Sequence, residues 1–194
     1  MLKITIILIK LFLYSFMSMS TEFYNFQFKS IEGNKMPLKN FRGKVVLLVN
    51  TASMCGLTKQ YAGLQELHEE YQDKGLVVLG VPSNSFMQEH ASEDKVKDFC
   101  ETNFNITFPM TQIEEVIGSE KHPLYAWLKE EYGIKPKWNF HKVLFDKSGN
   151  LVDSYSALTK PKSNKLIKVI EEKIKGYDSK YEGHFLYFFI YFRN

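Results

Sequence analysis

The run Val45-Val-Leu-Leu-Val49 passes directly into a polar turn that carries Cys55. Five consecutive apolar residues without alternation, three of them β-branched, read as a strand buried on both faces of a sheet. Thr51 to Gly56 is the turn. Beyond it Leu57, Tyr61, Leu64, Leu67 and Tyr71 recur at the three-to-four spacing of an amphipathic helix. Cys55 therefore sits where a central strand hands over to a helix. Unpaired backbone N–H groups and the positive end of the helix dipole converge at such a point, and both favour negative charge on sulfur. The competing reading is a structural cysteine, since free cysteines are among the most buried residues. A turn between polar neighbours is an unusual place to bury one, so a reactive thiol is the stronger expectation.

Length and composition narrow the function. A chain of 194 residues suggests one domain with short tails, and 44% apolar residues suffice for its core. A net charge of +3 gives no reason to expect nucleic acid. Cys55 and Cys100 are the only cysteines, so there is neither a disulfide scaffold nor a Cys-x-x-Cys pair. His68, His90, His122, His141 and His184 are scattered without zinc-ligand spacing and read as surface or satisfied structural residues. No metal or bound cofactor is expected.

Residues 1–20 are apolar apart from Lys3 and Lys10, and end in Ser18-Met-Ser20. They read either as a signal peptide, implying a periplasmic or secreted protein, or as an extension from an early start codon on a cytoplasmic one. The domain is expected over 21–176. Phe23 to Phe28 alternates like a half-buried strand. Leu76 to Val81 forms a second buried strand, parallel to the first through the Cys55 helix in a βαβ unit. The polar loop from Pro82 to His90 then lies on the same sheet edge as Cys55, where open α/β sheets put their chemistry. A helix follows from Ser92, its N-cap, to Asn103; another runs from Glu120 to Tyr132. His141–Phe145 and Leu151–Tyr155 form a hairpin, and Lys165–Ile174 a final helix. Residues 177–194 read as a polar linker and an apolar tail too short to span a membrane as a helix.

This order of elements describes an α/β thioredoxin-like fold, a central mixed sheet flanked by helices. Thioredoxins carry a second cysteine three residues on, whereas here Thr58 closes Cys55-Gly-Leu-Thr58. Three fragments go further: Asn50-Thr-Ala-Ser-Met-Cys55-Gly, Gly80-Val-Pro-Ser-Asn84-Ser-Phe86-Met-Gln88-Glu89 and Lys137-Trp138-Asn139-Phe140. With these the sequence resembles the glutathione peroxidase family, in its cysteine-containing, non-animal branch, from about Phe26 to Glu172. The resemblance implies a peroxidatic Cys55 surrounded by Gln88, Trp138 and Asn139. The family's usual Asn-Gln-Phe-Gly run is altered by Ser85, Met87 and a loop one residue shorter, so either Gln88 or Asn84 is the amide that reaches the thiolate. Amide and indole N–H groups are neutral donors, able to stabilise a thiolate and then a departing oxygen without quenching the nucleophile.

The resemblance also implies a resolving Cys100, which condenses with the sulfenic acid of Cys55. Such two-cysteine members commonly take electrons from thioredoxin rather than glutathione, so the resemblance implies thioredoxin as reductant, with glutathione as the alternative. The short connection from Tyr132 to Trp138 lacks the insertion that tetrameric animal members use for assembly, so the resemblance implies a monomer with an open site that admits hydrogen peroxide and organic or lipid hydroperoxides. Lys135, Lys137, Lys142, Lys160, Lys162 and Lys165 would suit an anionic membrane surface or an acidic thioredoxin, although a solvated basic face explains them as well. Competing functions are a peroxide sensor that relays its sulfenic acid to a partner protein, and a binding module with an unreactive Cys55.

Overall fold

The computed structural model describes residues 22–176; the segments read as leader and tail lie outside them. A short antiparallel hairpin, β1 (Gln27–Lys29) with β2 (Lys35–Pro37), precedes the main sheet. That sheet contains β3 (Val45–Thr51), β4 (Leu76–Pro82), β5 (Lys142–Phe145) and β6 (Leu151–Tyr155) in the order β4-β3-β5-β6. β3 pairs in parallel with β4, from Val45 opposite Leu76 to Thr51 opposite Pro82, and antiparallel with β5. The helices are α1 (Gln60–Tyr71), α2 (Glu93–Phe104), α3 (Pro123–Tyr132) and α4 (Asn164–Lys175). This is the thioredoxin-like, mixed-sheet architecture that the sequence leads one to expect. Among the described residues no helix is long and apolar enough to cross a membrane.

All seven residues of β3 are buried, and the pleat divides them. Val45, Leu47 and Val49 join one core layer with Tyr61, Leu64, Val96, Leu166 and Ile170, under α1, α2 and α4. Val46 and Leu48 join the opposite layer with Phe23, Trp127 and Leu128, under α3 and the N-terminal segment. Cys55 and Cys100 both belong to the first layer.

Three local expectations are corrected. Phe23–Phe28 is not one strand: Glu22–Asn25 is a 3-10 turn that buries Phe23 and Tyr24, and only Gln27–Lys29 is extended. Phe23 stacks on Phe145 at 4.2 Å, a tertiary contact that overrides the local alternation. Tyr24 covers the hairpin turn, where Gly149 has φ +81° and an added Cβ would fall 2.8 Å from the tyrosine ring. The helix read from Leu57 begins at Gln60, and the helix read from Glu120 begins at Pro123, whose fixed φ suits a first helical position. Ser92 does occupy the N-cap of α2, but its hydroxyl makes no capping bond.

Candidate active site

Cys55 lies in a non-helical link between β3 and α1. The Thr58 hydroxyl shapes that link. It accepts from the Cys55 N–H at 3.0 Å and shares its one proton between the carbonyl oxygens of Cys55 (2.6 Å) and Ala52 (3.0 Å). Thr58 thus stands where a thioredoxin would have its second cysteine and serves as a strut. With the loop curled this way, the Leu57 N–H donates to Cys55 Sγ at 3.4 Å. The sulfur side chain is 7% exposed. A turn amide, rather than the end of α1, supplies the positive group beside it.

The loop after β4 is stapled to the Cys55 loop by backbone and side chain. The Met54 N–H donates to the Gln88 carbonyl at 2.9 Å, and the Ser53 N–H to Glu89 Oε1 at 3.1 Å. Glu89 is buried and also accepts from the His90 N–H at 2.8 Å; desolvation raises its carboxyl above the ordinary carboxylate range, opposed by these bonds. Asn84 is exposed and closes its own loop by accepting the Glu89 N–H on Oδ1 at 3.2 Å. Ser85 turns away, donating to Glu115 Oε2 at 2.6 Å. Met87, at φ 56°, lets the chain reverse so that Gln88 points back into the fold.

The third segment meets this loop from β5. Asn139 is fully buried, and its Nδ2 donates to Gln88 Oε1 at 3.0 Å. Of the two amides left open by the sequence, Gln88 is the one joined to Asn139. Trp138 is 43% exposed and its ring leans on Phe86 at 5.3 Å. Asn50, at the end of β3, organises both: its Nδ2 donates to the Trp138 carbonyl at 3.2 Å, and its own carbonyl accepts the Phe140 N–H at 2.6 Å. Asn50 and Phe86 were quoted in the sequence fragments without a role. The available signal for Asn50 was a polar residue closing an otherwise apolar buried strand.

Cys100 is 1% exposed in the middle of α2, and both cysteines are free thiols. Burial pushes the Cys100 thiol up to about 12, against an opposing contribution from the Tyr61 hydroxyl beside it. In this position burial disfavours its thiolate form. Lys135 and Lys137 line two clefts, and Trp138 lines the smaller of them. One, of about 660 Å³, is lined by Phe86, Ile117, Lys121, Lys129 and Lys135; the other, of about 370 Å³, by Ile134, His141 and Leu158. Lys142 is not part of the basic face, being wholly buried. His68 Nδ1 and His141 Nε2 are buried ring nitrogens that no protein group bonds. Among the described residues no group of three His, Cys, Asp or Glu side chains is placed to hold a metal.

Residues 23–129, which include Cys55, Gln88 and Cys100, match the family model described as glutathione peroxidase. The chain belongs to the glutathione peroxidase family. Among curated relatives of this family member, glutathione peroxidase-like peroxiredoxin 2 of Saccharomyces cerevisiae is 44% identical over 75% of this chain and 93% of its own. The hydroperoxy fatty acid reductase gpx1 of Synechocystis sp. is 41% identical over 71% of this chain and 88% of its own. The crystal structure of T. cruzi GPX1 superposes with a TM-score of 0.61 at 31% identity, covering 79% of this chain and 96% of that one. A thioredoxin domain of a thiol-disulfide oxidoreductase from Bacteroides vulgatus shares the fold, with a TM-score of 0.55 at 19% identity over 77% of this chain and 92% of its own. As a member of this family the protein is a peroxidase.

Proposed function

We propose that the protein is a cysteine peroxidase that reduces hydrogen peroxide and organic hydroperoxides through Cys55. The observation that carries this reading is the Asn139–Gln88 amide pair, which is bound through the Gln88 carbonyl to the backbone beside Cys55. In the first step the Cys55 thiolate attacks one peroxide oxygen; an S–O bond forms and the O–O bond breaks. The other oxygen leaves with the electron pair and is protonated to water or an alcohol. Gln88 Nε2, the Trp138 indole N–H and the Asn139 amide are neutral donors for the thiolate and for that leaving oxygen.

In the second step the Cys100 thiolate attacks the Cys55 sulfenic sulfur; the S–S bond forms, the S–O bond breaks, and the expelled hydroxide takes up a proton from solvent to leave as water. Cys100 starts buried within α2, so resolution requires α2 to unwind locally. Thioredoxin then reduces the disulfide. The yeast relative's name, a peroxiredoxin, accords with a protein dithiol as reductant in place of glutathione. Lipid hydroperoxides belong to the substrate range: the lysine-rimmed cleft beside Phe86 suits an anionic amphiphile, and the Synechocystis relative's name specifies hydroperoxy fatty acids. The same lysines suit peripheral contact with an anionic lipid surface, and the enzyme works as a monomer.

The test is steady-state hydroperoxide consumption with thioredoxin and its reductase, against glutathione, for wild type and Cys100→Ser. The expected result is loss of thioredoxin-driven turnover in the variant with one stoichiometric oxidation retained. Full activity of the variant with glutathione would instead establish a one-cysteine mechanism.

A further inference from the structure

Lys142 is the most deeply buried charged residue among those described, with none of its surface reaching solvent. Its Nζ donates to Gln60 Oε1 at 2.7 Å and to the Phe140 carbonyl at 2.7 Å. Both acceptors are neutral, and burial alone pushes the amine down to about 7. Desolvating an ammonium without a counter-charge opposes folding, and an apolar side chain of similar length would fill the slot without that penalty. The evident return for that cost is the pair of acceptors the amine satisfies.

What the amine holds is more specific. Phe140 has φ 65°, in the left-handed region that an aromatic residue adopts only when its surroundings impose it. Its N–H is pinned by the Asn50 carbonyl at 2.6 Å, and its carbonyl by Lys142. Directly before this turn stand Trp138 and Asn139. On its other side Lys142 is tied to Gln60, the first residue of α1, whose own Nε2 is anchored on the Ala157 carbonyl at 2.7 Å. One amine thus joins the turn that presents the two donors to the helix that follows the Cys55 loop.

We propose that Lys142 is a positioning residue for peroxide reduction: its amine holds the left-handed turn at Phe140 and so aims Trp138 and Asn139 at the oxygen that Cys55 expels. This rests on the donor roles proposed above for those two residues.

The test uses the full chain in a Cys100→Ser background, where Cys55 is the only thiol. The rate constant of Cys55 is measured with hydrogen peroxide and with iodoacetamide, whose leaving iodide makes little demand on oxygen-directed donors. Lys142→Met is expected to lower the peroxide-to-iodoacetamide rate ratio by about tenfold to a hundredfold, the scale of a misaimed group. Its melting temperature should fall by only a few degrees, since the lost hydrogen bonds are offset in part by relief of the buried ammonium. Lys142→Gln, which keeps an N–H donor without a charge, is expected to recover most of the ratio. If Lys142→Met does not fold, Gln60→Leu decides, because it leaves the amine a single partner and should lower the ratio in the same sense. An unchanged ratio in the folded variant overturns the proposal, as does a fall of both rates together with stability. Trp138→Phe and Asn139→Ala run alongside. If they too leave the ratio unchanged, the donor reading itself has failed; if they lower it and Lys142→Met does not, only the positioning role has.

Discussion

Asn139 donates its side-chain amide to the side-chain oxygen of Gln88 at 3.0 Å, across 51 residues of sequence. The bond fixes the amide orientation of both. Gln88, with its oxygen occupied, presents its N–H₂ group; Asn139 retains a buried Oδ1 with no partner. Two residues linked this way act as a unit. Gln88→Ala and Asn139→Ala are each expected to lower the rate of Cys55 oxidation by about a hundredfold, as loss of one oxyanion-type donor does. The double variant should cost much less than the product of the two. Stopped-flow oxidation of the three variants checks this.

Asn84 has a different fate. It is exposed and only closes its loop onto the Glu89 N–H. Asn84→Ala should therefore cost about 0.5–1.5 kcal/mol of stability and leave the peroxide rate within a few-fold of wild type. Urea unfolding and the same kinetic assay separate the two effects.

Burial, with help from the charges of Lys142 and Lys137, pushes His141 down to about 4. The unfolded chain binds a proton here from near 6.5 downward, while the folded protein does so only near 4. The stability contribution is thus fully present above about 6.5 and is lost as pH falls through that window. His141→Leu should flatten the slope between pH 6.5 and 4. The comparison must be variant against wild type, because Glu89 and Glu114, both raised by burial, act in the opposite sense above their unfolded value. Urea midpoints across this range provide the measurement.

Trapping the Cys55–Cys100 disulfide should speed amide exchange across Glu93–Phe104, since Cys100 must leave a site where it is 1% exposed. Exchange unchanged in that helix would show that the cysteines meet without unwinding.

The lysine-rimmed cleft predicts substrate discrimination. Lys121→Glu with Lys129→Glu should raise KM for a hydroperoxy fatty acid and leave hydrogen peroxide kinetics unchanged, with the difference fading at high salt.

The parts of this protein legible in its sequence are those set by local pattern. Val45–Val49 and Leu76–Val81 could only be paired buried strands, and their shared edge brings Cys55 and the Gln88 loop together. The 3-10 turn at Phe23 was hidden because its cause, the stack on Phe145, lies far away in the chain. Leu57 keeps helical spacing but is held outside α1 by the Thr58 strut, a hydroxyl that pattern alone reads as one more polar residue. Lys142 looked like part of a basic face for the same reason: its partner Gln60 is 82 residues away, and nothing in His141-Lys-Val-Leu-Phe145 announces that the lysine points inward. That Gln88 and not Asn84 meets Asn139 goes with the reversal at Met87, a backbone conformation without a sequence mark of its own.

The central claim is that Cys55 is the atom-transferring nucleophile. The most direct measurement treats Cys100→Ser with one equivalent of hydrogen peroxide, traps with dimedone and maps the product by peptide mass spectrometry. The account predicts one dimedone adduct, on Cys55, with its yield falling steeply in Asn139→Ala at equal reaction time. A Cys55 thiol left unmodified, while Tyr61 and Trp138 are intact and the protein is folded, would contradict it.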